Sequence, residues 1–126
     1  MIYTSYFAQI KNLPDNIVPI SICAKAPAWY NGLQYKKLAP TYDILMSYKK
    51  DRDKESYTKR FSDEILKQYD VEQIIDDLIL ICHENGFYGK SVCLLCYEKP
   101  TDFCHRHLVA NWFAENGFEC KEWHKE

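Results

Sequence analysis

The run Val92-Cys93-Leu94-Leu95-Cys96 constrains this chain more than any other segment. Five apolar side chains in succession show neither the alternation of a half-buried strand nor the stripe of an amphipathic helix, so they fit a strand covered on both faces. Such a strand belongs inside a parallel sheet, because antiparallel sheets commonly leave one face to water. We take the strand as Ser91 to Tyr97. It runs into a loop broken by Pro100, and Cys104-His105-Arg106 then opens a helix that Thr101 or Asp102 is expected to cap. Open α/β sheets bind ligands in the crevice beyond the carboxyl ends of their strands, which is where this loop and helix start would sit.

The rest of the chain supplies partners for that strand. Ile2 to Phe7 reads as a first strand, and Ile17 to Cys23 as a second in which Pro19 favours a start or a bulge. Pro40 to Tyr48 and Tyr57 to Tyr69 read as helices, joined by an exposed charged connection from Lys49 to Glu55. Asp70-Val71-Glu72-Gln73 has the form of a capping box, and Val71, Ile74, Ile75, Leu78, Ile79 and Cys82 form the apolar stripe of a helix that Asn85-Gly86 ends. The last helix faces the sheet with Leu108, Val109, Trp112 and Phe113, and Phe118 to Trp123 adds a final strand. This order predicts a single α/β domain over residues 1–126. Its architecture is a small Rossmann-like three-layer sandwich with a mostly parallel sheet, and a helical, locally basic insertion at about 36–69 separates the second and third strands.

With 47% hydrophobic and 15% aromatic residues, the chain has the means for a sizeable core. No run reaches the length of a membrane helix, and the N-terminal residues lack the pattern of a signal peptide, so a cytoplasmic protein with no membrane partner is expected. In that compartment all six cysteines should be reduced, with no disulfide. The net charge of −2 is unevenly spread. Lys25 to Lys67 carries ten basic against six acidic residues, whereas Gln68 to Glu126 carries five against eleven. Tyr30, Tyr35, Tyr42, Tyr48, Tyr57 and Tyr69 accompany the basic stretch, which suits contact with bases and phosphates or a solvated helical surface over half-buried rings.

The candidate site residues come from three places. Cys104 falls in the first turn of the last helix, where unpaired amides and the dipole favour a thiolate, so it is a candidate nucleophile; packing is the alternative. His105 shares a side with Leu108, Val109 and Trp112 and should point inward, as a core histidine bonded to the preceding loop or as a general acid-base. Arg106 opposes the helix dipole and calls for a bound anion such as a phosphate, or for an ion pair with Glu98 or Asp102. Cys96, Tyr97 and Glu98 leave the buried strand directly into the crevice, Cys96 and Glu98 as candidate catalytic groups and Tyr97 as a binding residue. Lys25 follows the second strand in a loop that Pro27 keeps out of helix, and it is expected to share that crevice.

Several chemistries are disfavoured. Cys93 and Cys96 have C-x-x-C spacing, but an offset of three within a strand sends the two thiols to opposite faces, so no metal is expected. A redox pair of the thioredoxin type fails as well, because its C-x-x-C belongs at a helix N-terminus and not inside a strand. Asp102 stands where a phosphatase-like pattern would place arginine six residues after Cys96. Only Gly32, Gly86, Gly89 and Gly117 occur, so no glycine-rich phosphate loop exists and no cofactor is expected.

Leu94-Leu95-Cys96-Tyr97-Glu98-Lys99-Pro100 followed by Phe103-Cys104-His105-Arg106-His107-Leu108-Val109 resembles the signature of the domain of unknown function 488 family. The likeness extends more loosely to Tyr3-Thr4-Ser5, the Pro27 loop and Leu38-Ala39-Pro40. It implies an α/β fold and a pocket around Cys96, Glu98, Cys104, His105 and Arg106. Many members end the second strand in Asp and Arg, whereas this chain reads Ile22-Cys23-Ala24-Lys25, which leaves the basic role in that loop to Lys25.

Two classes of function follow. One is a small enzyme acting on a nucleotide, nucleoside or nucleic-acid component, with Arg106 and Lys25 holding an anionic group, Glu98 or His105 moving a proton and Cys104 as nucleophile. The other is a non-catalytic nucleic-acid or nucleotide-binding module that uses the Tyr/Lys-rich middle. Either way the expected partner is an anionic small molecule or a nucleic acid; no oligomeric state is implied.

Overall fold

The computed structural model of the protein describes residues 1–125. Five parallel strands form one sheet: β1 (Ile2–Tyr6), β2 (Ile17–Ser21), β3 (Leu33–Gln34), β4 (Ser91–Cys96) and β5 (Cys120–Glu122), in the spatial order β3-β2-β4-β1-β5. Helices α1 (Tyr42–Asp51), α2 (Lys54–Glu64) and α3 (Val71–Glu84) lie between β3 and β4, and α4 (His105–Glu115) joins β4 to β5. The apolar strand is central, as its composition predicts. Leu94 pairs with Thr4 on one side and Ile20 on the other, and Val92 to Cys96 are all buried.

The two faces of the sheet are covered differently. Val18, Ile20, Val92 and Leu94 meet all four α-helices through Ile44, Phe61, Ile74, Leu78, Val109 and Phe113. On the opposite face Ile17, Cys93 and Leu95 are covered by Phe7, Ile10 and Tyr30, which come from a 3-10 helix at Phe7–Asn12 and the loop after β2. Gly32 makes that thin layer close: a Cβ there would come within 2.6 Å of the Tyr30 hydroxyl, which donates to the carbonyl of Leu33. Pro19 lies one residue before β3 joins β2, so its missing N–H falls where β2 has only one neighbour.

Several boundaries differ from the sequence-based expectation. The helical insertion follows β3 and not the second strand, because the two-residue β3 pairs with Ile20 and Ser21 without any periodicity of its own. The charged stretch Lys49 to Glu55 is exposed as expected, but most of it is helical. α1 runs to Asp51 and α2 starts at Lys54, with Arg52 in the left-handed region (φ 55°) and Asp53 accepting from the amide of Ser56 as the cap of α2. α2 stops at Glu64, and a 3-10 turn at Leu66–Gln68 completes the segment. Asp70 caps α3 by accepting from the amide of Glu72, but the capping box is not closed, because the Gln73 side chain donates to Asp77 instead. Among the described residues no helix is long and apolar enough to cross a membrane.

Candidate functional site

β2 and β4 both end at one crevice, and α1, α2 and the start of α4 close its sides. The cavity there has a volume of about 300 Å³, and Cys96, Cys104 and His105 lie in its wall together with Lys25, Lys49 and Glu98. Tyr48, Tyr57 and Phe103 supply an aromatic wall, with ring centroids 5.2 to 5.4 Å apart. The hydroxyl of Tyr97 donates to the carbonyl of Lys25 at 2.6 Å, tying the exit of β4 to the loop after β2. Lys25 therefore reaches the crevice as expected, and the cavity is of a size to hold a monomeric ligand.

α4 begins later than its capping residues suggested. Neither Thr101 nor Asp102 caps it; Cys104 is the N-cap, with extended backbone and no side-chain capping bond, and its carbonyl accepts from His107. Cys104 therefore sits at the N-terminal end of α4, where the first-turn amides of His105 and Arg106 have no intrahelical partner. Its sulfur is bonded to that of Cys96, eight residues earlier, with the two Cα atoms 7.3 Å apart. This disulfide corrects the expectation of six reduced thiols, which rested on compartment alone and took no account of the turn that brings the end of β4 against the start of α4.

His105 is buried, and its Nε2 lies 2.8 Å from the carbonyl oxygen of Ile22. A carbonyl only accepts, so Nε2 carries the proton, and the lone pair of Nδ1 faces Sγ of Cys96 at 3.4 Å and Sγ of Cys104 at 3.9 Å. Burial drives the imidazole pKa down to about 4, against the raising effect of the Ile22 carbonyl, and the charge of Arg106 lowers it further. The ring is neutral in the physiological range. The donor atoms of Cys96, Cys104 and His105 lie within 4.8 Å of one another, a spacing that suits a soft metal ion once the sulfurs are reduced. Cys93 is not among these donors, although it is buried in the same apolar cluster as Cys96 and Cys104.

Arg106 is engaged by groups of the protein itself. Its side chain is completely buried, and its Nε and one terminal nitrogen donate to the two carboxylate oxygens of Glu122 at 3.1 and 3.0 Å. The other terminal nitrogen donates to the backbone carbonyl of Glu98 at 2.5 Å. The guanidinium is thus fully engaged away from the cavity, and the partner is the carboxylate of Glu122, not that of Glu98 or Asp102. Glu122 went unseen in the sequence, since only the register of β5 beside β1 brings it to Arg106, and Thr4 also donates to it at 2.8 Å. Lys49 was the other residue missed, because its apparent place in an exposed connection hid that α1 carries it to the crevice.

Burial disfavours the thiolate form of the remaining cysteines. Burial is the main cause that pushes Cys23, Cys93 and Cys120 up to about 12. Compared with known proteins, the chain matches the family described as the active DUF488-N3 subclade over residues 10–117. No curated protein and no solved structure matches it.

Proposed function

The chain belongs to the DUF488-N3 family, in its active subclade, and from that premise we propose that it is a small enzyme acting on a nucleotide, nucleoside or nucleic-acid component bound in the crevice beyond β2 and β4. The observation that carries this reading is the pairing, in one cavity, of an aromatic wall (Tyr48, Tyr57, Phe103) with two lysines (Lys25, Lys49) beside the Cys-His centre. A planar base finds stacking surface on such a wall, and an anionic group finds its counter-charge in the lysines. Lys25 and Lys49 replace Arg106 in the anion-binding role, since Glu122 already satisfies Arg106. Glu98, exposed at the rim, moves the proton, and Cys104 in its reduced form attacks the substrate, with His105 positioning the neighbouring sulfur.

The exposed cations of the α1–α2 edge, Lys50, Arg52 and Lys54, favour the second reading of a nucleic-acid-binding module. One experiment separates them. Affinities for nucleosides, nucleoside monophosphates and short single-stranded oligonucleotides are measured by calorimetry for the reduced wild-type protein and for Lys25→Ala, Lys49→Ala, Cys104→Ser and a Lys50→Ala/Arg52→Ala double variant. The enzyme reading expects monomeric nucleotides to bind, a loss of roughly tenfold for each crevice lysine, and turnover that Cys104→Ser abolishes while affinity persists. Binding confined to oligonucleotides, steeply dependent on salt and lost in the double variant, would replace it with the binding module.

A further inference from the structure

We infer that Cys96 and Cys104 form a redox-active pair that cycles between disulfide and dithiol by exchange with small thiols and disulfides entering the crevice. Three features of the structure support a pair with two working states. The sulfurs are bonded across a short loop, and although both cysteines are nearly buried, both lie in the wall of the cavity, which gives a small sulfur compound a route to them. The loop between them is largely surface chain: Tyr97, Glu98, Lys99, Thr101 and Asp102 are exposed, while Phe103 and the Glu98 carbonyl anchor it to Tyr48, Tyr57 and Arg106 whether or not the bond is formed. Finally, the lone pair on Nδ1 of His105 already faces Cys96 at 3.4 Å, which provides an acceptor for its S–H when the bond is open. Both states therefore have their polar groups satisfied.

The position of each sulfur assigns its part in the exchange. Cys104, at the N-cap of α4, is the sulfur that a helix start favours as thiolate. In the oxidising direction Cys104 releases its proton to water and attacks a small disulfide RSSR; the RS–SR bond breaks, a Cys104–SR mixed disulfide forms, and RS⁻ leaves and takes up that proton. The Cys96 sulfur, with its S–H directed at the lone pair of Nδ1 of His105, then attacks Cys104. The Cys104–SR bond breaks, the Cys96–Cys104 bond forms, and the second RS⁻ takes up the proton that the Cys96 thiol gives up. The net change is one dithiol and one RSSR to one protein disulfide and two RSH; an excess of RSH drives it backwards. Of the other thiols, Cys23 donates to the carbonyl of Leu95, and Cys93 is sealed beneath the sheet.

This inference is independent of the nucleotide reading, and its test contains no nucleotide. The fully reduced wild-type protein is incubated with oxidised glutathione, quenched with acid, and its thiols are counted after denaturation, with bridged and modified cysteines mapped by peptide mass spectrometry. Six thiols should fall to four, with the lost pair mapped to Cys96 and Cys104, and reduced glutathione in excess should restore six. Cys96→Ser should accumulate a mixed disulfide on Cys104, whereas Cys104→Ser should form one on Cys96 at least tenfold more slowly. The inference is overturned if the wild-type count stays at six, or if glutathione distributes over Cys23, Cys82, Cys93 and Cys120. The wild-type count alone decides the matter should either variant fail to fold.

Discussion

Arg106 and Glu122 form a bidentate ion pair that locks the first turn of α4 to β5, with the guanidinium completely shielded from water. Removing one partner of such a pair leaves a buried charge without compensation, and that costs more than the pair contributes. Glu122→Ala should destabilise the domain by roughly 3 kcal/mol, toward the low end for buried pairs because the carboxylate keeps some contact with water. Urea denaturation should show the loss at an unchanged m-value. A Glu122→Ala protein as stable as wild type would mean that the guanidinium finds another partner.

The cap of α3 gives a smaller and more local expectation. Asp70 accepts from the amide of Glu72, and without that acceptor the amide turns to water at the mouth of the helix that carries Ile74 and Leu78 into the core. Asp70→Ala should cost about 1 kcal/mol and Asp70→Asn much less. Thermal unfolding of the two variants side by side measures the difference.

The Cys96–Cys104 bond closes a short loop, and restricting the unfolded chain over so few residues stabilises the fold by roughly 2.5 kcal/mol in the chain-entropy picture. Adding a strong reductant should therefore lower Tm by roughly 10 °C. A Cys96→Ala/Cys104→Ala double variant should start at the lower Tm and ignore reductant. A reductant response that survives in the double variant would point to another pair of cysteines.

What the chain discloses about itself follows the range of each interaction. β4, α3 and α4 are legible because burial on both faces, or along one stripe, writes itself into consecutive residues. The family signature and the crevice were legible for the same reason, since Cys96, Glu98, Cys104 and His105 are all within ten residues of one another. β3 was not, because two residues held by Ile20 and Ser21 have no pattern to detect. Neither was the partner of Arg106. Glu122 is an acidic residue in a short strand like any other until β5 pairs with β1, and no local signal distinguishes it from the neighbouring Glu119, which pairs with Lys121 at the surface. Lys49 was obscured by its neighbours, as a dense run of charges reads as connection even when a helix continues through it.

His105 should make the domain sensitive to acid in a definable window. Its imidazole is wholly buried, with Arg106 on one side, the Cys96 and Cys104 sulfurs facing Nδ1 and the Phe61 ring packed beside it, and burial holds its pKa near 4 against an ordinary value of 6.5. Above pH 6.5 the ring is neutral in both folded and unfolded chains, and its contribution is fully present. Between about 6.5 and 4 the unfolded chain binds a proton that the folded one refuses, so stability falls as pH drops through that interval; below 4 both forms are protonated and no more is lost. The loss over the whole window is on the order of 3 kcal/mol. Urea denaturation at pH 7, 5.5 and 4 should trace this decline in the wild-type protein. In His105→Gln, where an amide can still donate to the Ile22 carbonyl but does not titrate, the same series should be flatter by that amount, even though the variant is less stable at neutral pH. Parallel curves for the two proteins would assign the acid sensitivity to other groups.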